Sequence, residues 1–374
     1  MDPLLERVLR DPRSALALSD RHWDLLIRQA RRAELLGHLA ATLEDRGELG
    51  LLPPRPRAHL KSALALVRHQ ARAVLWEARQ ISAALAELSV PVVALKGMAY
   101  VLAGLPNARG RLFSDLDILV PEQALDSVEA ALMLNGWSTL EHDPYDQRYY
   151  RQWMHEIPPM RHLKRGTVID VHHAILPRTA RIRVDSASMR AAAVPIPGFT
   201  NFFVFQPVDM VLHSATHLFH EGELDKGLRD LVDLDILLRH FGQNDKFWPA
   251  LAARATEVGL TRPLHYALRY ASRMLDTPVP APLSSLAETW GPAAPLPPLM
   301  DALYARALRP NHPTASDRLT GVARWMLYVR AHWLRMPAHL LVYHLTRKAL
   351  RREEDVPSAS DRPVPPDKAG AANP

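Results

Sequence analysis

Leu95–Pro121 reads LKGMAYVLAGLPNARGRLFSDLDILVP, and the rest of the chain is organised around it. It opens with Lys96-Gly97 directly after an apolar run and closes with Asp115 and Asp117 in a short hydrophobic string. Side chains alternate across a strand, so two carboxylates one residue apart project from one face. Leu116, Ile118 and Val120 then face a core. Two aspartates on one face repel each other unless a cation or several donors sit between them. The string therefore reads as half of a divalent-metal site.

Working outward, PVVALKG is a β-branched apolar run bounded by proline and glycine, which predicts a buried strand. Met98–Gly104 suits a short helix, Leu105–Gly110 a glycine-containing loop, and Ser114–Val120 the acidic strand. Pro121 opens a helix over Glu122–Asn135, with Gly136 at its C-cap. PMRHLKRGTVIDVHH then reads as a hairpin turning at Lys164-Arg165-Gly166. In its second arm Val168, Asp170 and His172 share one face, and Ile169 and Val171 the other. Strand, helix, strand, helix and hairpin predict an α+β fold, a small mixed sheet flanked by N-terminal and C-terminal helical regions.

Asp170 brings a third carboxylate on a neighbouring strand. Three carboxylates can hold a pair of magnesium ions, which take oxygen ligands and share them with substrate phosphates. Such a pair suits an in-line phosphoryl displacement. Lys96 and the Gly97 backbone, at a strand-to-helix turn, are placed to meet a triphosphate. Arg109 and Arg111 lie on the loop just before the acidic strand.

LKG at 95–97, R-x-x-S-D-L-D-I-L-V at 111–120 and V-I-D-V-H at 168–172 resemble the DNA polymerase beta-type nucleotidyltransferase superfamily, and more closely its bacterial nucleotidyltransferase-like family. A looser likeness joins His213, His217 and Leu228–Asp233 to that family's C-terminal helical part. The resemblance implies an enzyme that depends on Mg2+ or Mn2+ and uses a nucleoside triphosphate. Asp115 and Asp117 would be metal ligands, and Asp170 the third acid, positioning or deprotonating an acceptor hydroxyl. Lys96, Gly97, Arg109, Arg111, Ser114 and His172 complete the expected donor and acceptor contacts. The chain departs from the superfamily in having Gly97-Met98 where Gly-Ser or Gly-Gly is usual.

The remaining sequence bounds this reading. The 374 residues suffice for several domains, here 1–88 helical, 89–205 the nucleotidyltransferase-like core, 206–350 helical and 351–374 a disordered tail. Within the first region, Trp23–Leu43 carries apolar residues at helical spacing and Arg57–Leu88 forms a long helix. Further helices are expected at Val208–His220, Leu224–Phe241, Trp248–Val258, Arg262–Leu275 and Asp317–Leu350, with proline-dense 277–300 a linker or extended segment. The absence of cysteine excludes a disulfide framework, a thiolate zinc site and a cysteine nucleophile. A net charge of +6 fits a phosphate-bearing partner but points only weakly to RNA. The acids and prolines of the first residues are unlike a secretory signal. Arg324, Arg330, Arg335 and Pro337 interrupt the most membrane-like run, so a cytoplasmic chain without a membrane span is expected.

Three further features invite a chemical reading. DLDIL recurs at 233–237, but inside a helical run, where residues two apart point away from each other and cannot chelate together. His213, His217 and His220 share one helix face, more in keeping with packing or a cleft wall than with zinc. The tryptophans and tyrosines of 137–153 suit core filling or base stacking. Two alternatives to nucleotidyl transfer remain: phosphoryl transfer to a peptide or small molecule on the same site, and a catalytically weak, antitoxin-like nucleotide-binding module.

Overall fold

Val92 and Val93, β-branched and set off by Pro91, form with Ala94 the buried strand β1 (Val92–Ala94) in the computed structural model. The structure describes residues 4–337 except 141–142, 144–146, 148–149, 152, 221 and 223. Six more strands share its sheet: β2 (Leu116–Leu119), β3 (Trp137–Thr139), β4 (Met160–His162), β5 (Val168–His172), β6 (Val194–Pro195) and β7 (Phe202–Val204). Their order is β3-β4-β5-β2-β1-β7-β6. Strand β1 runs parallel to β7 and antiparallel to β2, and β2 runs parallel to β5. The register sets Asp117 opposite Asp170. Ile169 and Val171 are buried on one face of β5, while Asp170 and His172 take the other. The expected hairpin is present, with Gly166 at a positive φ of 73° in its turn.

Helices stand on both sides of the sheet in sequence, which gives the expected α+β architecture. Before it come α1 (Leu4–Arg10), α2 (Asp20–Arg32), α3 (Leu36–Asp45) and α4 (Pro54–Ala84). Between strands lie α5 (Lys96–Leu102), α6 (Leu125–Leu134) and α7 (Ser186–Ala191). After it come α8 (Pro207–His220), α9 (Gly227–Phe241), α10 (Phe247–Glu257), α11 (Thr261–Leu275), α12 (Ala281–Thr289), α13 (Leu296–Ala307) and α14 (Thr320–Arg335). One apolar cluster runs from Leu5 to Leu327 and joins these groups. Glu77 of α4 fixes the β4–β5 turn by accepting from Arg165 Nε at 2.9 Å and Thr167 Oγ1 at 2.7 Å.

Three expectations need correction. The acidic strand begins at Leu116, so Asp115 precedes it on exposed chain. The run Trp23–Leu43 is two helices, broken where Glu34 adopts a left-handed φ of 57°. Proline-dense 277–300 contains α12 and the start of α13. Each of these helices has proline at its N-cap and again in its first turn, where a missing N–H costs nothing. The expected 317–350 helix stops at Arg335, where Met336 is extended ahead of Pro337; residues 338–350 and the tail 351–374 lie outside the described residues. Among the described residues no helix is long and apolar enough to cross a membrane.

Candidate active site

The chain leaves β1 through Lys96, a non-glycine residue held at φ 46°. That left-handed backbone costs roughly 1 kcal/mol, and it sets the Lys96 ammonium 3.3 Å from Asp117 Oδ1. The Leu95 N–H also donates to the Asp117 carbonyl at 3.0 Å, tying the end of β1 to β2. Gly97 is buried under the neighbouring loop, where a Cβ would come within 2.8 Å of the Phe113 ring and 3.0 Å of Arg111 Nε. Glycine is thus required for the close approach of the loop that carries the acidic pair.

Asp117 is buried at the centre of a charged network. His172 Nε2 lies 3.2 Å from Asp117 Oδ1, and His172 Nδ1 lies 3.1 Å from Glu156 Oε2. The His155 ring stacks on His172 with centroids 5.2 Å apart. Burial opposes the charge on His172, but Glu156 and Asp117 outweigh it and push its pKa up to about 9. Burial likewise opposes charge on Asp117. The Lys96 ammonium and His172 overcome that and hold its carboxyl well below the usual carboxylate range.

Asp170 has the opposite environment. Burial, and then the neighbouring Asp117 charge, push its carboxyl up to about 7, and its buried Oδ1 has no hydrogen-bond partner. Asp115 is exposed and accepts from Ser114 Oγ at 2.9 Å. An orphaned carboxylate oxygen, a crowded Asp117–Asp170 pair and an exposed third acid make an oxygen donor set suited to a hard cation. Their oxygens do not converge in this arrangement. Among the described residues, the group whose ligand atoms all lie within 4.8 Å of one another is His155, Glu156 and His172.

A cleft of about 650 Å³ opens in front of these acids. Lys96, Arg111, Ser114, Asp115 and Asp117 form its sheet-side wall. His217, Lys226, Arg229 and Asp230 come from α8 and the start of α9, and Arg324, Trp325 and Tyr328 from α14. Arg111 reaches across to Asp233 Oδ2 at 2.5 Å and stands 3.9 Å from Asp230 Oδ1. Burial lifts the Asp233 carboxyl even against the pull of Arg111. Arg229 bonds Asp230 at 2.8 Å and Glu34 at 2.5 Å, and Lys226 meets Glu34 at 2.9 Å. Each basic side chain of the α9 wall is thus already held by a carboxylate.

The structure brings Lys96, Arg111, Ser114, Asp115 and Asp117 to the cleft, with Asp170, His172 and Gly97 packed behind its surface. Arg109 is not brought there; it pairs with Asp45 on the exposed side of the loop at 2.5 Å. Of the histidine face, His217 lines the cleft, while His213 is buried edge-on to Phe205 and His220 is buried. Glu221, which follows His220 in sequence, lies outside the described residues. Trp137 is core, edge-on to His162, and Tyr145 and Tyr149 lie outside the described residues. Glu34, His155, Glu156, Trp325 and Tyr328 were not expected from the sequence.

Acids on two interior strands facing a helical wall that carries Lys226 and Arg229 are an arrangement suited to a phosphate-bearing substrate. The chain belongs to a family described as uncharacterised nucleotidyltransferase, whose sequence model matches residues 19–276. Its general role is accordingly nucleotidyl transfer. No curated protein and no solved structure matches the chain.

Proposed function

We propose that the protein is a Mg2+-dependent transferase that moves a nucleotidyl group from a nucleoside triphosphate to a hydroxyl or phosphate of an acceptor. The observation that carries this reading is the register of β2 and β5, which sets Asp117 beside Asp170 behind a cleft that Asp115 also lines. Asp115, Asp117 and Asp170 would hold Mg2+ or Mn2+. The bound cation would offset charge on the transferring phosphoryl group.

The chain's own residues supply the rest. Lys96, Arg111, Lys226 and Arg229 present cations to the triphosphate, trading carboxylate partners for phosphate oxygens. His172 holds the Asp117 carboxylate in one orientation, and Glu156 holds His172 in turn. Asp170 would position the attacking hydroxyl or take its proton. The acceptor oxygen bonds to the α-phosphorus, the bond from that phosphorus to the β-phosphate oxygen breaks, and pyrophosphate leaves. Asp115→Asn and Asp117→Asn should each lower Mg2+-dependent triphosphate turnover by about 100-fold or more, with the fold retained by circular dichroism. Unchanged turnover in both variants would contradict this assignment.

A further inference from the structure

We propose that Trp325 and Tyr328 of α14 form the subsite for the nucleobase of the donor nucleotide; this rests on the transfer reading above. The sheet-side wall and the α9 wall offer acids and cations, which account for phosphates and a metal. The α14 wall differs in kind, because two of its cleft-lining side chains are aromatic. They stand three residues apart on one helix and so occupy neighbouring positions on its surface. The flat, aromatic part of a nucleotide is its base, and a base stacks on such a surface whatever its identity.

Comparison among the exposed tryptophans singles out Trp325. Trp76 and Trp333 are 49% and 47% exposed, and an arginine guanidinium lies over each ring, Arg165 at 5.3 Å and Arg181 at 4.0 Å. Trp325 is 65% exposed, the most of the three, and among the described residues no cation or ring covers it. An indole left in water at a cleft wall forgoes the burial that tryptophan ordinarily gains.

The wall is also firmly seated. Gly222 lets α14 come close, since a Cβ there would collide with that of Ala331. Arg330 donates to the Phe219 carbonyl at 3.1 Å, and Arg324 to the Arg309 carbonyl at 2.9 Å. The family match ends at residue 276, so this subsite is built by the chain's own C-terminal segment rather than by the matched region.

Calorimetry on the full chain with Mg2+ tests the assignment, using ATP, GTP, CTP and UTP in turn and inorganic tripolyphosphate as a base-free probe. Trp325→Ala should weaken the best-bound triphosphate about tenfold while tripolyphosphate affinity stays unchanged. Trp325→Phe should restore most of the loss, and Trp333→Ala on the same helix should change neither ligand. Equal weakening of both ligands by Trp325→Ala, or no weakening of the nucleotide, would overturn the subsite. Wild-type protein that binds tripolyphosphate as tightly as every nucleotide would also overturn it, leaving the transfer reading intact. Failure of the wild type to bind any of these probes would overturn both.

Discussion

Asp-Leu-Asp-Ile-Leu occurs at 115–119 and again at 233–237, and the two copies serve the same site in different ways. In the first, Asp115 lies on exposed chain and Asp117 in β2, and both line the cleft. In the second, the aspartates lie on α9, where two residues span about 200° of rotation. Asp233 turns inward to Arg111 and to Asn107, whose Nδ2 donates at 3.2 Å, whereas Asp235 turns to Arg239 and Thr277 at 2.7 and 2.6 Å. The helical copy therefore braces the other, because the arginine it holds stands four residues before Asp115. Identical strings acquire different chemistry from the local period of the backbone.

Loss of turnover in Asp117→Asn is the largest effect expected of the first copy. For the second, the largest is on stability. Asp233→Ala leaves the Arg111 side chain, only 10% exposed, without its close partner. Breaking a buried pair in this way should cost about 3 kcal/mol in denaturant unfolding. A loss no greater than that of Asp235→Ala would break the comparison.

A pH dependence separates the two copies further. His213, behind the first copy, is kept neutral by burial and then by the Lys96 charge, which lower its pKa from 6.5 to about 3. The unfolded chain takes up this proton near pH 6.5 and the folded chain only near pH 3. Its contribution to stability is thus complete above pH 6.5 and is lost as pH falls toward 3. Urea unfolding of His213→Leu should show a shallower decline over that window; an unchanged slope would argue against a neutral, buried His213.

Smaller effects sharpen the picture. Glu156→Gln removes the charge that holds His172 on Asp117 and should lower kcat about tenfold, with little change in KM for the triphosphate. Glu156→Asp should recover part of that loss, and an unchanged kcat in Glu156→Gln would exclude a positioning role. Asp235→Ala should be mildest, about 1 kcal/mol or less, because its Arg239 partner is 44% exposed.

What could be read from the sequence follows from the range of each interaction. The β5 alternation is local, so the separation of Asp170 and His172 from Ile169 and Val171 was legible. So was the strand-to-helix turn at Lys96-Gly97. The partners in the brace were not, because Glu34 meets Arg229 across 195 positions and Arg111 meets Asp233 across 122. Glu156 reaches the site through an isolated bridge opposite His172, a pairing with no periodic signature. The break at Glu34 was hidden because helical spacing continues on both sides of it. Proline density at 277–300 concealed α12 and α13 because proline is read as a breaker before its place in a first turn is known. Trp325 and Tyr328 were read only as part of the expected 317–350 helix, since periodicity does not distinguish a cleft wall from a solvated face.

The most direct test is to incubate the protein with Mg2+, cell extract and nucleoside triphosphate labelled at the α- or the γ-phosphate, alongside Asp117→Asn. The expected result is α-label on an acceptor, γ-label released in pyrophosphate, and neither with the variant. Transfer of γ-label to the acceptor, or α-label transfer that persists in Asp117→Asn, would contradict nucleotidyl transfer from this site.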